Sequence, residues 1–180
     1  MNPRPNTRTA ALDAALTVLV QDGVLSLDSV ARAAGLTKPG LMYHFPTKEA
    51  LMSAVVDHVL DRCEASILQR LGADPSTADP ARRIAAYVSW SLEEPHGAVD
   101  LVAFADPRLR AQLVERWTTR FGPYLRIDEQ LDEATRTRLL ALRLLADGAW
   151  FAGAADMLPP TRAERQRLQA FAAALLDEAR

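Results

Sequence analysis

The chain has 180 residues, 49% of them hydrophobic, a formal net charge of −2 and one cysteine. That is enough apolar material for one large domain or two small ones, and too little positive charge for a nucleic-acid binder by composition alone. The lone Cys63 excludes an intramolecular disulfide, Met1 to Arg8 does not read as a signal peptide, and no apolar run reaches the ~18 residues of a membrane span.

Ala, Leu and Arg dominate, and no alternating strand pattern stands out, so the expected class is all-α with about nine helices. The first helix is expected from Thr7 to Asp22, with Leu12, Ala15, Leu16, Leu19 and Val20 as its apolar stripe and Gly23 just past its end. A second, short helix follows Ser26. Leu27, Val30, Ala31 and Ala34 fall on one face, and Gly35 can take the positive φ at which that helix must stop. Thr37 is a good N-cap, and Pro39 sits in the first turn of the next helix, where its missing N–H costs nothing. Phe45-Pro46 ends that helix, and Thr47 can cap another with Glu49 in its first turn. Helix, three-residue turn, helix is the helix-turn-helix arrangement, whose second helix enters a DNA major groove.

A long helix is expected from Lys48 to Leu71, marked by Leu51, Val55, Val59, Cys63, Ile67 and Leu71. GADPSTAD, residues 72–79, is the clearest loop. Asp79-Pro80 and Asp106-Pro107 each set a capping acid before a proline, opening helices over 80–93 and 107–121. A short helix is expected over 98–105, and Gly122-Pro123 reads as a stop. Two long helices close the chain. One runs from about Asp132 to Met157 and ends at Pro159-Pro160; the other runs from Arg162 to Glu178 behind a Thr161–Glu164 capping box. The division expected is a three-helix DNA-binding head, residues 1–50, joined by the long helix to a helical bundle, residues 51–180.

The last two helices are apolar nearly all round, so they need cover on most sides. A second copy of the chain can supply it in a two-fold four-helix bundle. The residues assigned to that interface are Leu142, Ala146, Trp150, Leu168, Phe171, Ala172 and Leu175; the competing reading packs them in the monomer core.

Charge is unevenly spread. Residues 1–50 hold five basic against four acidic residues, the rest sixteen against nineteen, and the only lysines, Lys38 and Lys48, stand at helix starts in the head. The candidate DNA contacts are Ser26, Thr37, Lys38, Pro39, Gly40, Leu41, Tyr43, His44, Thr47 and Lys48. Ser26, Thr37 and Thr47 read equally well as helix caps or phosphate contacts. Lys38 can meet a phosphate or a guanine edge, Gly40 admits the backbone to the DNA, and Leu41 can touch a thymine methyl or hold the helix to its core. Tyr43 and His44 offer a phenol and an imidazole to phosphates, and Lys48 adds charge at a helix N-terminus. No metal motif, phosphate loop or nucleophile elbow appears, so neither a cofactor nor an enzyme is expected.

The head also resembles a family. Gly23, Ser26, Val30-Ala31, Ala34-Gly35-Leu36-Thr37, Leu41, His44-Phe45 and Thr47-Lys48-Glu49 are similar, at fixed spacing, to the DNA-binding domain of TetR-family transcriptional regulators. One position departs: the family commonly has a phosphate-contacting tyrosine two residues before His-Phe, where this chain has Met42, with Tyr43 next to it. Ala146-Asp147-Gly148-Ala149-Trp150 resembles the family's dimer helix. The resemblance implies a cytoplasmic homodimer on a palindromic double-stranded operator, acting as a repressor. It also implies an inducer cavity between the middle helices for a small, largely apolar ligand. The aromatic residues of the second half, Trp90, Phe104, Trp117, Phe121, Tyr124 and Trp150, with His96 at the mouth, are the expected lining; a plain aromatic core is the other reading. The alternative function is a helix-turn-helix regulator whose body binds a protein partner and no small molecule.

Overall fold

The computed structural model describes residues 7–104 and 110–177, with side chains outside 102–113. The described chain is helical throughout: α1 (Thr7–Asp22), α2 (Leu27–Ala33), α3 (Lys38–His44), α4 (Lys48–Leu71), α5 (Pro80–Glu93), a 3-10 helix (Ala98–Phe104), α6 (Arg110–Leu125), α7 (Glu133–Ala154) and α8 (Arg162–Asp177). No strand occurs among the described residues. Two compact units form, Met1–Asp61 and Arg62–Arg180, and α4 runs through the boundary.

In the first unit α2 packs against both α1 and α3. Ala11, Leu12, Ala15, Leu16 and Val18 of α1, Val30 and Ala31 of α2, and Leu41 and Phe45 are buried. The turn is built by local chemistry. Ser26 and Ser29 form a reciprocal capping box at the start of α2. At its end Gly35 takes φ +66°, Leu36 N–H donates to Ala31 O at 2.8 Å and Gly35 N–H to Arg32 O at 3.2 Å. That is a Schellman cap, the bond pattern that turns the chain directly into α3.

In the second unit α5 is the hub, packing on α6, α7 and α8. Ile84, Tyr87, Val88, Trp90 and Leu92 of α5 are buried with Phe121, Tyr124, Leu139, Leu142 and Ala146. Asp79 caps α5 and Asp132 caps α7, each accepting backbone N–H bonds. Arg83 is buried, and its guanidinium donates to the carbonyls of Pro75 and Arg126, tying the 72–79 loop and the α6 end to α5.

One helix type and two boundaries differ from the sequence reading. The short helix at 98 is a 3-10 helix. Gly122-Pro123 does not stop α6, which continues to Leu125. Proline removes only one N–H, and in a last turn that loss leaves room for two more residues; Arg126 N–H still reaches Gly122 O at 2.9 Å. α7 ends at Ala154, before the proline pair. Asp156 (φ 51°) supplies a left-handed cap with no glycine, as Met157 N–H donates to Ala152 O at 3.0 Å and Asp156 N–H to Gly153 O at 3.4 Å. The expected Asp106-Pro107 start and the Glu178 end lie outside the described residues.

Candidate nucleic-acid interface and ligand cleft

α3 has one buried edge and one open face. Leu41 and Phe45 are fully buried, while Lys38, Pro39, Met42 and Tyr43 face solvent, Tyr43 at 85% exposure. Leu41 therefore holds the helix to its core and offers nothing to a thymine methyl. Tyr43 stands out with its ring edge-on to His44, centroids 5.2 Å apart, whereas Met42 is less than half exposed. The polar outward residue on this turn is thus Tyr43, beside the position where the resemblance calls for tyrosine.

The hydroxyls act as caps. Thr37 Oγ1 accepts from Gly40 N–H at 3.2 Å and Thr47 Oγ1 from Ala50 N–H at 3.1 Å, which leaves each hydroxyl proton able to reach a phosphate. Ser26 donates to Ser29 Oγ at 2.9 Å, so its proton is engaged inside the box. Gly40 has a structural job as well: a Cβ there would come within 3.1 Å of Thr37 Oγ1 and press on the cap. Lys38 Nζ pairs with Asp28 Oδ2 at 2.9 Å across the turn. Lys48 is exposed at the start of α4. Thr37, Lys38, Pro39, Tyr43, Thr47 and Lys48 are all exposed on or next to the one short helix. Hydroxyls and lysines for the backbone, with exposed side chains at a helix start for base edges, are what major-groove docking needs.

The body divides the seven expected lining residues. Trp117 and Phe121, ring centroids 4.2 Å apart, line a cleft of about 710 Å³ together with Leu125, Arg126, Arg143 and Asp147. Trp150 lies behind Trp117, centroids 5.5 Å apart, and is buried. Tyr124 is also buried, with its hydroxyl 3.5 Å from Glu64 Oε1; burial raises its pKa and the carboxylate adds to the rise. Trp90 belongs to a separate stack with Tyr87 and His96, centroids at 5.5 and 4.7 Å. His96 lies at a smaller recess of about 350 Å³, away from the cleft-lining set. The side chain of Phe104 is outside the described residues.

Sequence reasoning missed the polar wall of the cleft. Tyr87 O–H donates to Asp147 Oδ1 at 2.7 Å, and Arg143 Nε lies 3.8 Å from Asp147 Oδ2. Burial raises the Tyr87 pKa, and the adjacent carboxylate raises it further, so the phenol stays a donor. The i, i+4 spacing of Arg143 and Asp147 was the available signal.

The proposed interface residues also divide. Leu142, Ala146, Trp150 and Ala172 are buried in the chain's own body, where α5 packs on both α7 and α8 and Trp117 of α6 lies against Trp150; Leu168 and Leu175 are half-buried. The outward apolar side chains are Leu140, Leu144 and Phe151 on one stripe of α7, with Phe171 on α8 at 55% exposure. Among the described residues no group of three or more His, Cys, Asp or Glu is placed to hold a metal ion. No single described helix is long and apolar enough to cross a membrane.

A helix-turn-helix head with an outward α3, continued by a long helix into a helical body, defines a DNA-binding transcriptional regulator. Residues 11–55 match the family model of bacterial regulatory proteins, tetR family. The HTH-type transcriptional regulator EthR of Mycobacterium tuberculosis is 27% identical over 148 residues, covering 79% of this chain and 68% of EthR. The HTH-type transcriptional repressor LfrR of Mycolicibacterium smegmatis is 30% identical over 108 residues, 60% of this chain and 54% of LfrR. Multidrug binding protein EbrR, solved with malachite green, shares the fold with a TM-score of 0.62 at 23% identity, covering 95% of this chain and 98% of EbrR. The head, residues 11–55, is thus similar to the DNA-binding domain of TetR-family transcriptional regulators, and the likeness to EthR extends over 79% of the chain.

Proposed function

We propose that the protein is a cytoplasmic homodimeric repressor that leaves a palindromic operator when a small, largely apolar ligand enters the cleft beside α6 and α7. The observation that carries the DNA half is the division of α3, with Leu41 and Phe45 buried and Lys38, Pro39 and Tyr43 outward. One head offers few phosphate contacts. Two heads joined in one molecule turn the second half-site into an intramolecular event and raise effective concentration. The outward stripe Leu140, Leu144 and Phe151 with Phe171 is the surface for the second copy. LfrR's name as a repressor and EbrR's dye complex support the sign and the ligand.

Coupling has a physical route. Trp117 and Phe121 line the cleft, and between them Arg120 donates through Nε (3.0 Å) and Nη2 (2.7 Å) to Glu64 Oε2 on α4. α4 begins at Lys48 in the head. A ligand that displaces α6 therefore acts on α4 through a charge-assisted pair. Selection of bound DNA from a random library tests the first half: an inverted repeat with half-sites about one helical turn apart is expected, and recovery of no enriched sequence refutes it. Ligand titration with and without the selected operator tests the second. Linkage requires operator to weaken ligand binding by the factor by which ligand weakens operator binding, and equal ligand affinities rule out an effector.

A further inference from the structure

We infer that the effector of this cleft carries a negative charge: it is an aromatic monocarboxylate of two or three rings. This rests on the reading of the body as a ligand-binding module and goes beyond it by assigning the ligand's polar end. The aromatic half follows from the wall, since half-buried Trp117 presents its indole to the cleft, held by the buried ring of Phe121 packed against it at 4.2 Å, and a planar ring system can lie on it. The charge follows from the balance of the remaining walls.

Among the described residues that line the 710 Å³ cleft Asp147 is the only acid, and it is already engaged by the Tyr87 hydroxyl on one oxygen and approached by Arg143 on the other. Two arginines, Arg126 and Arg143, line the same cleft. Arg143 Nε is buried and makes no hydrogen bond, since 3.8 Å to Asp147 is beyond reach. Arg126 is a solvent-facing guanidinium, 69% exposed, 3.6 Å from Asp128, and that same acid also lies 4.0 Å from buried Arg83. A neighbouring cleft of about 590 Å³ shares Leu125, Arg126 and Arg143 and adds Arg136 and Glu133. Across the joined walls three arginines therefore face two acids, one of them already hydrogen-bonded. A cation entering here would sit beside Arg143 and compete with Tyr87 for Asp147. A carboxylate would meet planar guanidinium donors in the geometry they bind best.

The experiment uses three probes with one ring skeleton: 2-naphthoate, 2-naphthylmethanol and 2-naphthylmethylammonium, titrated calorimetrically into the full-length protein. Naphthoate is expected to bind at least about tenfold tighter than either other probe, the factor of one charge-assisted hydrogen bond. Arg143→Met should erase that preference, costing naphthoate at least about tenfold more affinity than it costs the alcohol. Arg126→Met, at an exposed position where folding is not at stake, should reduce the preference in part. Trp117→Ala should weaken all three. An ammonium probe that binds as tightly as naphthoate overturns the charge assignment, because Asp147 then governs the cleft; three equal affinities overturn it too, and both results leave the ligand-binding reading standing. No binding of any probe at millimolar concentration overturns both.

Discussion

Phe171→Asp should split the proposed dimer while leaving each protomer folded. Phe171 is 55% exposed on α8, and the buried anchor of that helix is its neighbour Ala172. With roughly 200 Å² for a phenylalanine side chain, about 110 Å² is available to a partner. At ~25 cal/mol per Å² that is ~2.7 kcal/mol per copy, or ~5 kcal/mol when a two-fold axis counts it twice. Burying a carboxylate in its place adds a desolvation cost. The dimer dissociation constant should therefore rise about 10³-fold or more, since ~1.4 kcal/mol is a factor of ten. Sedimentation at micromolar concentration should show a wild-type dimer and a variant monomer, with equal helical circular dichroism and loss of tight operator binding. A monomeric wild type, or a variant constant within about threefold of wild type, would falsify the assignment of this surface.

Lys48→Ala should weaken binding to all DNA sequences alike and lower the salt slope by about one for each phosphate that Lys48 neutralises; unchanged affinity at several salt concentrations removes Lys48 from the interface. Trp117→Ala should cost less than the ~3–5 kcal/mol of a fully buried tryptophan, because Trp117 is only half-buried at the cleft wall. Its ligand-free operator affinity should hold while its response to ligand changes; a melting temperature falling as for a core truncation, with no ligand response in the wild type, would mark the cleft as mere packing. Cys63, buried on α4, has its thiol pushed from 9.0 up to about 12, chiefly by burial, so it should resist alkylation at pH 8 until the protein unfolds. The sign for stability follows. From about pH 9 upward the unfolded chain releases this proton and the folded chain keeps it, so stability falls with rising pH relative to Cys63→Ala. Equal pH dependence of the two proteins would refute it.

The head was legible residue by residue because its signals are local. Gly35 at positive φ, the Thr37 and Thr47 caps and the Leu41–Phe45 buried edge each follow from a few neighbouring residues. The body was legible as helices but less so as surfaces. Periodicity identifies an apolar stripe on α7 without saying which neighbour covers it. Two stripes were present: the body's own helices covered Leu142, Ala146 and Trp150, and left Leu140, Leu144 and Phe151 outside. The aromatic set divided for the same reason, since Tyr87 and Trp90 share α5 while Trp117 and Phe121 share α6. Helix ends failed where an unusual residue took the role of a usual one. Asp156 capped α7 in place of glycine, and Pro123 sat late enough in α6 to be tolerated.

The Lys38–Asp28 pair gives the head a counterion tethered to the chain. When an ordinary lysine meets a phosphate, the DNA sheds a condensed cation and the lysine sheds whatever anion shadowed it, and dilution of the freed ions drives binding. On DNA, Lys38 would exchange one anionic partner for another, and the displaced Asp28 would stay tethered on α2. That exchange gains less from low salt and loses less at high salt. Lys38→Ala should thus flatten the salt slope less than Lys48→Ala does, while costing more on the preferred sequence if the lysine reads a guanine. Asp28 would in turn be left as an unpaired carboxylate near the proposed DNA-binding face when Lys38 is drawn away. If Lys38 reads a base, loose, sequence-blind encounters would meet that repulsion without the compensating base contact, and the operator complex would have both. Asp28→Asn should therefore raise affinity for random DNA more than for the operator, narrowing the ratio between them; an unchanged ratio in parallel titrations would remove this discriminating role from Asp28.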